Sequence, residues 1–334
     1  MIFRIIITSL RVNSDKFNMN DKKPNILDYF FVLRPILLAP AWTMLLAGFY
    51  QAQRQAGIPA KPLWLLPGKL WLALALYSGL MGAVYIVNQI FDIETDRLNK
   101  KLFLVAEGYV SKAGIWAEAG ILMVLALALA VYFFSRTFAV MMLASGILGL
   151  LYSAPPFKFK AKPFLDMAAN GFGYGGLAFA AGWLVSGQYS EKIWLAAAPY
   201  MLAVAAVYVN TTIPDYHSDK ATGNITTGVF LGGTVTIGLG LALMAGSAGL
   251  AYYLNDRLCL IAAGCALPLF IMAVATGKMR WTMLAYQGGS LVLALLVGMM
   301  YPVFFLLLLA TYLALKVYHK KRFGMDYPKF ADRA

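Results

Sequence analysis

Apolar windows follow one another along the chain at about 29–50, 70–91, 114–134, 137–154, 165–186, 193–213, 227–254, 258–276, 281–300 and 302–318, separated by short polar or turn-forming stretches. A helix of about 20 apolar residues crosses the hydrocarbon of a bilayer, so each window approaches or reaches the length of one crossing. The last two windows are parted only by Tyr301-Pro302, and a single long helix kinked at the proline is the alternative to two. The pattern predicts an all-α, polytopic membrane helical bundle of nine to ten transmembrane helices. Residues 29–318 form the membrane domain on this reading, 1–28 an N-terminal extension, and 319–334 a basic cytoplasmic tail. The first 18 residues carry only a short apolar patch at Ile5, Ile6 and Ile7, too short for a secretory signal, and read as a dispensable extension or a mis-assigned start.

Composition strengthens the membrane assignment: 61% of the 334 residues are hydrophobic and 13% charged, where a soluble chain of this size carries more charge. The net charge of +13 raises the possibility of nucleic acid, but the Lys and Arg residues lie between the windows, where anionic lipid headgroups are the better partner. With a cytoplasmic N-terminus and ten crossings, 22 basic residues fall inside and six outside. That asymmetry predicts the orientation, and it places the ends of windows two, four and six on the cytoplasmic face. Cys259 and Cys265 share one apolar window and suggest neither a disulfide nor a thiolate metal site.

The informative departures from apolarity are at those three ends. Asn88, Asp92 and Asp96 are spaced by four, so on a continuous helix they share a face, with Glu94 pointing elsewhere. Asp215 and Asp219 repeat the spacing after window six, with Asn210 before them and Lys220 after. Stacked carboxylates repel unless a cation lies between them, and acidic groups at a helix C-terminus oppose its dipole. Two such motifs on helices running the same way read as a shared metal site. Oxygen-only ligands without a Cys or His cluster select Mg²⁺, which keeps waters and takes phosphate oxygens in its remaining positions. Arg97, Lys100, Lys101, Lys158, Lys160, Lys162 and Lys220 supply the positive surroundings a diphosphate needs. A diphosphate head beside a greasy bundle implies an isoprenyl diphosphate. Asn88 has an interhelical hydrogen bond as its alternative role, Tyr152 and Arg34 have interfacial anchoring, and His217 reads as a bystander. The glycines of window five (Gly171, Gly173, Gly175, Gly176 and Gly182) and of window seven (Gly232, Gly233, Gly238 and Gly240) read as close helix packing rather than a phosphate loop.

These residues resemble the UbiA-type intramembrane prenyltransferases. The resemblance is carried by Asn88-xxx-Asp92-xxx-Asp96, Asp215-xxx-Asp219, Arg34-Pro35, Tyr152-Ser153-x-Pro155-Pro156 and Gly223-x-x-Thr226, in order from about residue 30 to about 240. It implies a prenyltransferase in which Asp92, Asp96, Asp215 and Asp219 are catalytic and hold Mg²⁺ against the diphosphate. Asn88, Arg34, Tyr152 and the basic residues named above would bind the diphosphate. The allylic C–O bond ionises and a lipid-soluble acceptor, aromatic, quinone-precursor or otherwise, attacks the cation. The site would open on the cytoplasmic side of a cell membrane, with membrane lipids around it and no nucleic acid partner. The sequence departs from the family's frequent Arg-Pro and Ser-Gly after the first motif, running instead through Asn99, Lys100 and Lys101. A multi-pass transporter or divalent-cation carrier is the competing class, but carriers usually place such carboxylates at the midplane on broken helices.

Overall fold

The computed structural model describes residues 25–58, 62–98, 103–325 and 327; residues 1–24 of the extension, Lys100, Lys101 and half of the tail lie outside them. The chain enters through α1 (Ile26–Val32) and α2 (Leu38–Gln55), which together make the first span. α3 (Gly68–Phe91), the short α4 (Ile93–Leu98), α5 (Lys112–Phe133) and α6 (Arg136–Ser153) follow. Ser111 and Ser135 start α5 and α6 by accepting the Gly114 and Phe138 amides at 3.0 and 3.2 Å, which satisfies donors the helix cannot.

The fifth apolar window, 165–185, is one rod made of α7 (Leu165–Asn170), a π-helical stretch (Gly171–Ala178) and α8 (Phe179–Val185). The second half of the chain comprises α9 (Ile193–Thr211), α10 (Tyr216–Ala221), α11 (Thr227–Leu231), α12 (Gly233–Tyr253), α13 (Arg257–Thr276), α14 (Met279–Met300) and α15 (Val303–Phe323). Among the described residues nine helices are long and apolar enough to cross a membrane, and the interrupted fifth rod is a further apolar segment. The protein is an all-helical, multi-pass integral membrane bundle.

The C-terminal apolar stretch is two helices. Tyr301 and Pro302 break it, and the Met300 carbonyl at that break accepts the Leu63 amide at 2.8 Å from the loop after α2. α15 then returns to the face where the chain entered: Tyr318 Oη donates to Asp28 Oδ1 at 2.7 Å and Arg322 pairs with Asp28 at 3.0 Å. Both strap the last helix to the first. Window seven is also interrupted, because Gly232 at φ +75° separates α11 from α12.

Glycine roles divide accordingly. A Cβ on Gly182 would meet the Leu45 carbonyl oxygen at 1.8 Å, one on Gly48 the Phe179 carbonyl oxygen at 1.9 Å, and one on Gly175 the Met201 Cα at 2.5 Å. The fifth rod therefore presses its backbone against α2 and α9, as small residues permit where lipid supplies no hydrophobic drive. Of the window-seven glycines singled out above only Gly240 is closely packed, with Asn210 against it; Gly232, Gly233 and Gly238 face open space, which corrects the uniform packing expectation.

Candidate active site

The two acidic motifs share one architecture, and neither lies on an unbroken helix. α3 ends at Phe91, and Asp92 caps it with φ −105° before α4 resumes. The Asp96 amide nevertheless donates to the Asp92 carbonyl at 2.7 Å, so the one-turn spacing survives the break. α9 likewise ends at Thr211, Asp215 opens α10, and the Asp219 amide donates to the Asp215 carbonyl at 2.8 Å. Each motif thus puts its first aspartate at the seam between a spanning helix and a short helix beyond it.

The loop after α6 joins the motifs. Lys160 Nζ forms an ion pair with Asp92 Oδ2, the two side chains being 14% and 20% exposed. Lys158 Nζ donates to Asn224 Oδ1 at 3.1 Å, in the loop that follows the second motif. There Asn224 Nδ2 donates to Thr222 Oγ1 at 3.0 Å, and Thr226 Oγ1 contacts Asp219 Oδ2 at 3.5 Å. Burial pulls the Lys160 ammonium below the ordinary lysine pKa, and the Asp92 charge acts in the opposite direction. Lys158 and Arg34 are both left-handed, at φ +40° and +54°; a side chain with a Cβ occupies that region at a cost of about 1–2 kcal/mol, and such residues cluster at functional sites.

Beside the motifs opens a cavity of about 430 Å³, and of the four motif aspartates only Asp215 lines it. Arg34, Asn88, Tyr152 and Asp215 line its mouth, and Met244, Cys259, Phe304 and Leu308 line its deep end. Cys259 and Phe304 stand in the first turns of α13 and α15, so the cavity reaches through most of the bundle's thickness. Along α3 alone its lining runs from Asn88 to Tyr77, about 16 Å at the helical rise. Two tyrosine pairs flank the upper part: Tyr152 and Tyr208 hydroxyls at 2.9 Å, and Tyr85 and Tyr174 at 2.8 Å, with Tyr85 also donating to the Leu37 carbonyl at 2.9 Å.

The sequence-derived candidates distribute as follows. Asn88 lines the cavity and donates to Ser153 Oγ at 3.0 Å, so it fills the interhelical role while facing the chamber. Lys162 is exposed at the end of the turn Phe159–Ala161, and Lys220 lies over the Tyr216 ring at 5.9 Å. His217 is exposed against Tyr216, away from the cavity lining. The Arg97 side chain, Lys100 and Lys101 lie outside the described residues. Asp166 was not among the candidates. It is fully buried at the start of α7 and accepts the Thr227 amide at 2.8 Å and the Thr227 hydroxyl, fastening α11 behind the second motif. The only signal in the sequence was an acidic residue opening an apolar window. Tyr85, Tyr174 and Tyr208 lay inside apolar windows and carried no spacing to single them out.

Among the described residues no group of three or more His, Cys, Asp or Glu side chains is arranged to hold a metal ion. The donor set still suits Mg²⁺, which is ordinarily held by one or two carboxylates with waters and substrate phosphate oxygens completing its octahedron. Each motif supplies two carboxylates one turn apart.

Comparison with known proteins agrees with this fold. Residues 41–283 match the model of the UbiA prenyltransferase family. The chain is 34% identical over 185 residues to a lycopene elongase/hydratase of Haloarcula japonica, covering 50% of this chain and 58% of that protein. It is 35% identical over 154 residues to the enzyme of the same name from Haloferax volcanii, covering 45% and 48%. The matches thus span about half the length of these relatives. A UbiA homolog from Archaeoglobus fulgidus bound to DMAPP and Mg²⁺ superposes with a TM-score of 0.65 at 23% identity, over 84% of this chain and 99% of that one. By its matched length, its helical architecture and its paired acidic motifs, the chain belongs to the UbiA prenyltransferase family.

Proposed function

We propose that this protein is a Mg²⁺-dependent prenyltransferase that moves an isoprenyl group from a prenyl diphosphate to a lipid-soluble acceptor, at a site on the cytoplasmic face of a cell membrane. The observation that carries the reading is a long apolar cavity lined by Asn88 and Asp215, beside a loop whose Lys160 pairs with Asp92 and whose Lys158 donates to Asn224 just after the second motif. Asp92 and Asp96, and Asp215 and Asp219, would hold the metal, which when bound neutralises charge on the leaving diphosphate. Arg34, Lys158 and Lys160 bind the diphosphate oxygens and Asn88 orients them. The faces of Tyr85, Tyr174, Tyr152 and Tyr208 shield the allylic cation left by C–O cleavage, and the apolar walls keep water from quenching it.

The acceptor suggested by the Haloarcula and Haloferax relatives is a linear polyene of the lycopene kind, and the Archaeoglobus homolog suggests a short allylic donor. A chamber lined by Met44, Met244, Leu293 and Phe304 beyond the tyrosines suits such a hydrocarbon. The test incubates purified protein with Mg²⁺, a ladder of prenyl diphosphates and a panel of acceptors including lycopene, with products identified by mass. Asp92→Asn and Asp215→Asn should each abolish product while the protein still inserts and folds. Full Mg²⁺-dependent turnover by both variants refutes the assigned roles.

A further inference from the structure

We infer that Lys160 is the resident counter-ion of Asp92, taking the place of the divalent cation until metal and diphosphate arrive, and then passing to the diphosphate. This rests on the metal-dependent reading above. It starts from an electrostatic problem: Asp92 terminates α3, where the helix dipole disfavours an anion, and Asp96 adds a second carboxylate one turn on. Such a pair needs positive charge whether or not metal is bound. Lys160 supplies it through Asp92 Oδ2, in a cleft where the two side chains keep 14% and 20% of their surface. That leaves the pair reachable by an incoming ligand yet shielded enough from water for the attraction to matter.

The backbone holds Lys160 in this position. Left-handed Lys158 begins the tight turn Phe159–Ala161 that carries Lys160, and the Lys158 ammonium is anchored on Asn224 beyond the second motif. A metal ion taken up by the Asp92 carboxylate would compete with the Lys160 ammonium that now holds its Oδ2. Diphosphate brought in with the metal gives the displaced ammonium a new partner within reach, since lysine binds phosphate as a compact point charge. Lys160 is therefore a positioning residue with two successive partners, and its removal should move two affinities in opposite directions.

The experiment uses the full chain in detergent, with Mn²⁺ as an EPR-visible replacement for Mg²⁺. Without prenyl diphosphate, Lys160→Met should bind Mn²⁺ about tenfold tighter than wild type, because a competitor and a like charge are gone, whereas Lys160→Arg should stay near wild type. With Mn²⁺ saturating, Lys160→Met should bind geranyl diphosphate at least tenfold more weakly. In EDTA, Lys160→Met should melt below wild type and Mn²⁺ should close the gap; in an Asp92→Asn background the same substitution should lower the melting temperature much less. Equal Mn²⁺ affinity in wild type and Lys160→Met, or an equal loss on Lys160→Met with Asp92 present or replaced, overturns the counter-ion assignment while leaving the metal reading intact. Failure of every protein to bind Mn²⁺, with or without geranyl diphosphate, overturns both.

Discussion

The clasp between Asp166 and Thr227 offers the sharpest test of how the second motif is held. Both residues are fully buried. Asp166 accepts the Thr227 amide at 2.8 Å, the Thr227 hydroxyl, and the Met167 amide at 2.8 Å, while Thr227 Oγ1 itself accepts the Phe164 amide at 2.7 Å. Hydrogen bonds to a charged group contribute roughly 1.5–3 kcal/mol each, and a buried donor left without a partner costs about 1–3 kcal/mol. Thr227→Val deletes the hydroxyl bond and strands the Phe164 amide but spares the backbone bond, so it should cost about 2–3 kcal/mol. Asp166→Ala strands the Thr227 and Met167 amides together, offset in part by no longer burying a carboxylate, and should cost about 3–4 kcal/mol. Because the variants share the hydroxyl–carboxylate bond, the double variant should fall short of additivity by about 1.5–3 kcal/mol. Equilibrium unfolding in mixed micelles measures all three. Since α11 follows Thr226 and Asn224, which contact Asp219 and Lys158, turnover should drop in both single variants. Additive losses, or an Asp166→Ala protein as stable as wild type, would show that the clasp does not form.

Other substitutions probe separate features. Gly182→Ala forces a Cβ to within 1.8 Å of the Leu45 carbonyl oxygen and should destabilise by more than about 3 kcal/mol, whereas Gly264→Ala, with nothing within 4 Å, should be neutral or mildly stabilising; the same unfolding titration compares them. Glu118 sits within the apolar α5 with its Oε2 buried and unpartnered, so Glu118→Leu should stabilise by about 2–3 kcal/mol. Asp256, in the loop before α13, accepts Gln51 Nε2 at 2.6 Å and the Cys259 amide at 3.0 Å, and burial raises its carboxyl above the ordinary aspartate value of 3.8. A raised folded-state pKa means the folded form binds the proton more tightly than the unfolded chain. Its contribution is therefore present at acidic pH and lost as pH rises through the folded value. Melting measured against pH should show that decline in wild type and less of it in Asp256→Asn, which keeps the helix cap.

Much of this protein was legible in the chain itself. The ten apolar windows reappear as helical segments, because the length of an apolar run and the need to satisfy every backbone group inside the run are local properties. The acidic spacing Asp92 to Asp96 and Asp215 to Asp219 persists as one helical turn, even though each helix breaks at the first aspartate. Family membership followed from those residues in that order. What the sequence left undecided is what depends on neighbours far along the chain. It placed Lys158, Lys160 and Lys162 together, and only the left-handed turn at Lys158 decides that one meets Asn224, one meets Asp92 and one stays exposed. It treated the glycines of windows five and seven alike, and only the approach of α2 and α9 makes the former indispensable. Asp166 finds its partner 61 residues away, and Tyr85 finds Tyr174 at a separation of 89. Periodicity encodes which face a residue takes on its own helix; which side chain waits opposite is fixed only when the helices pack.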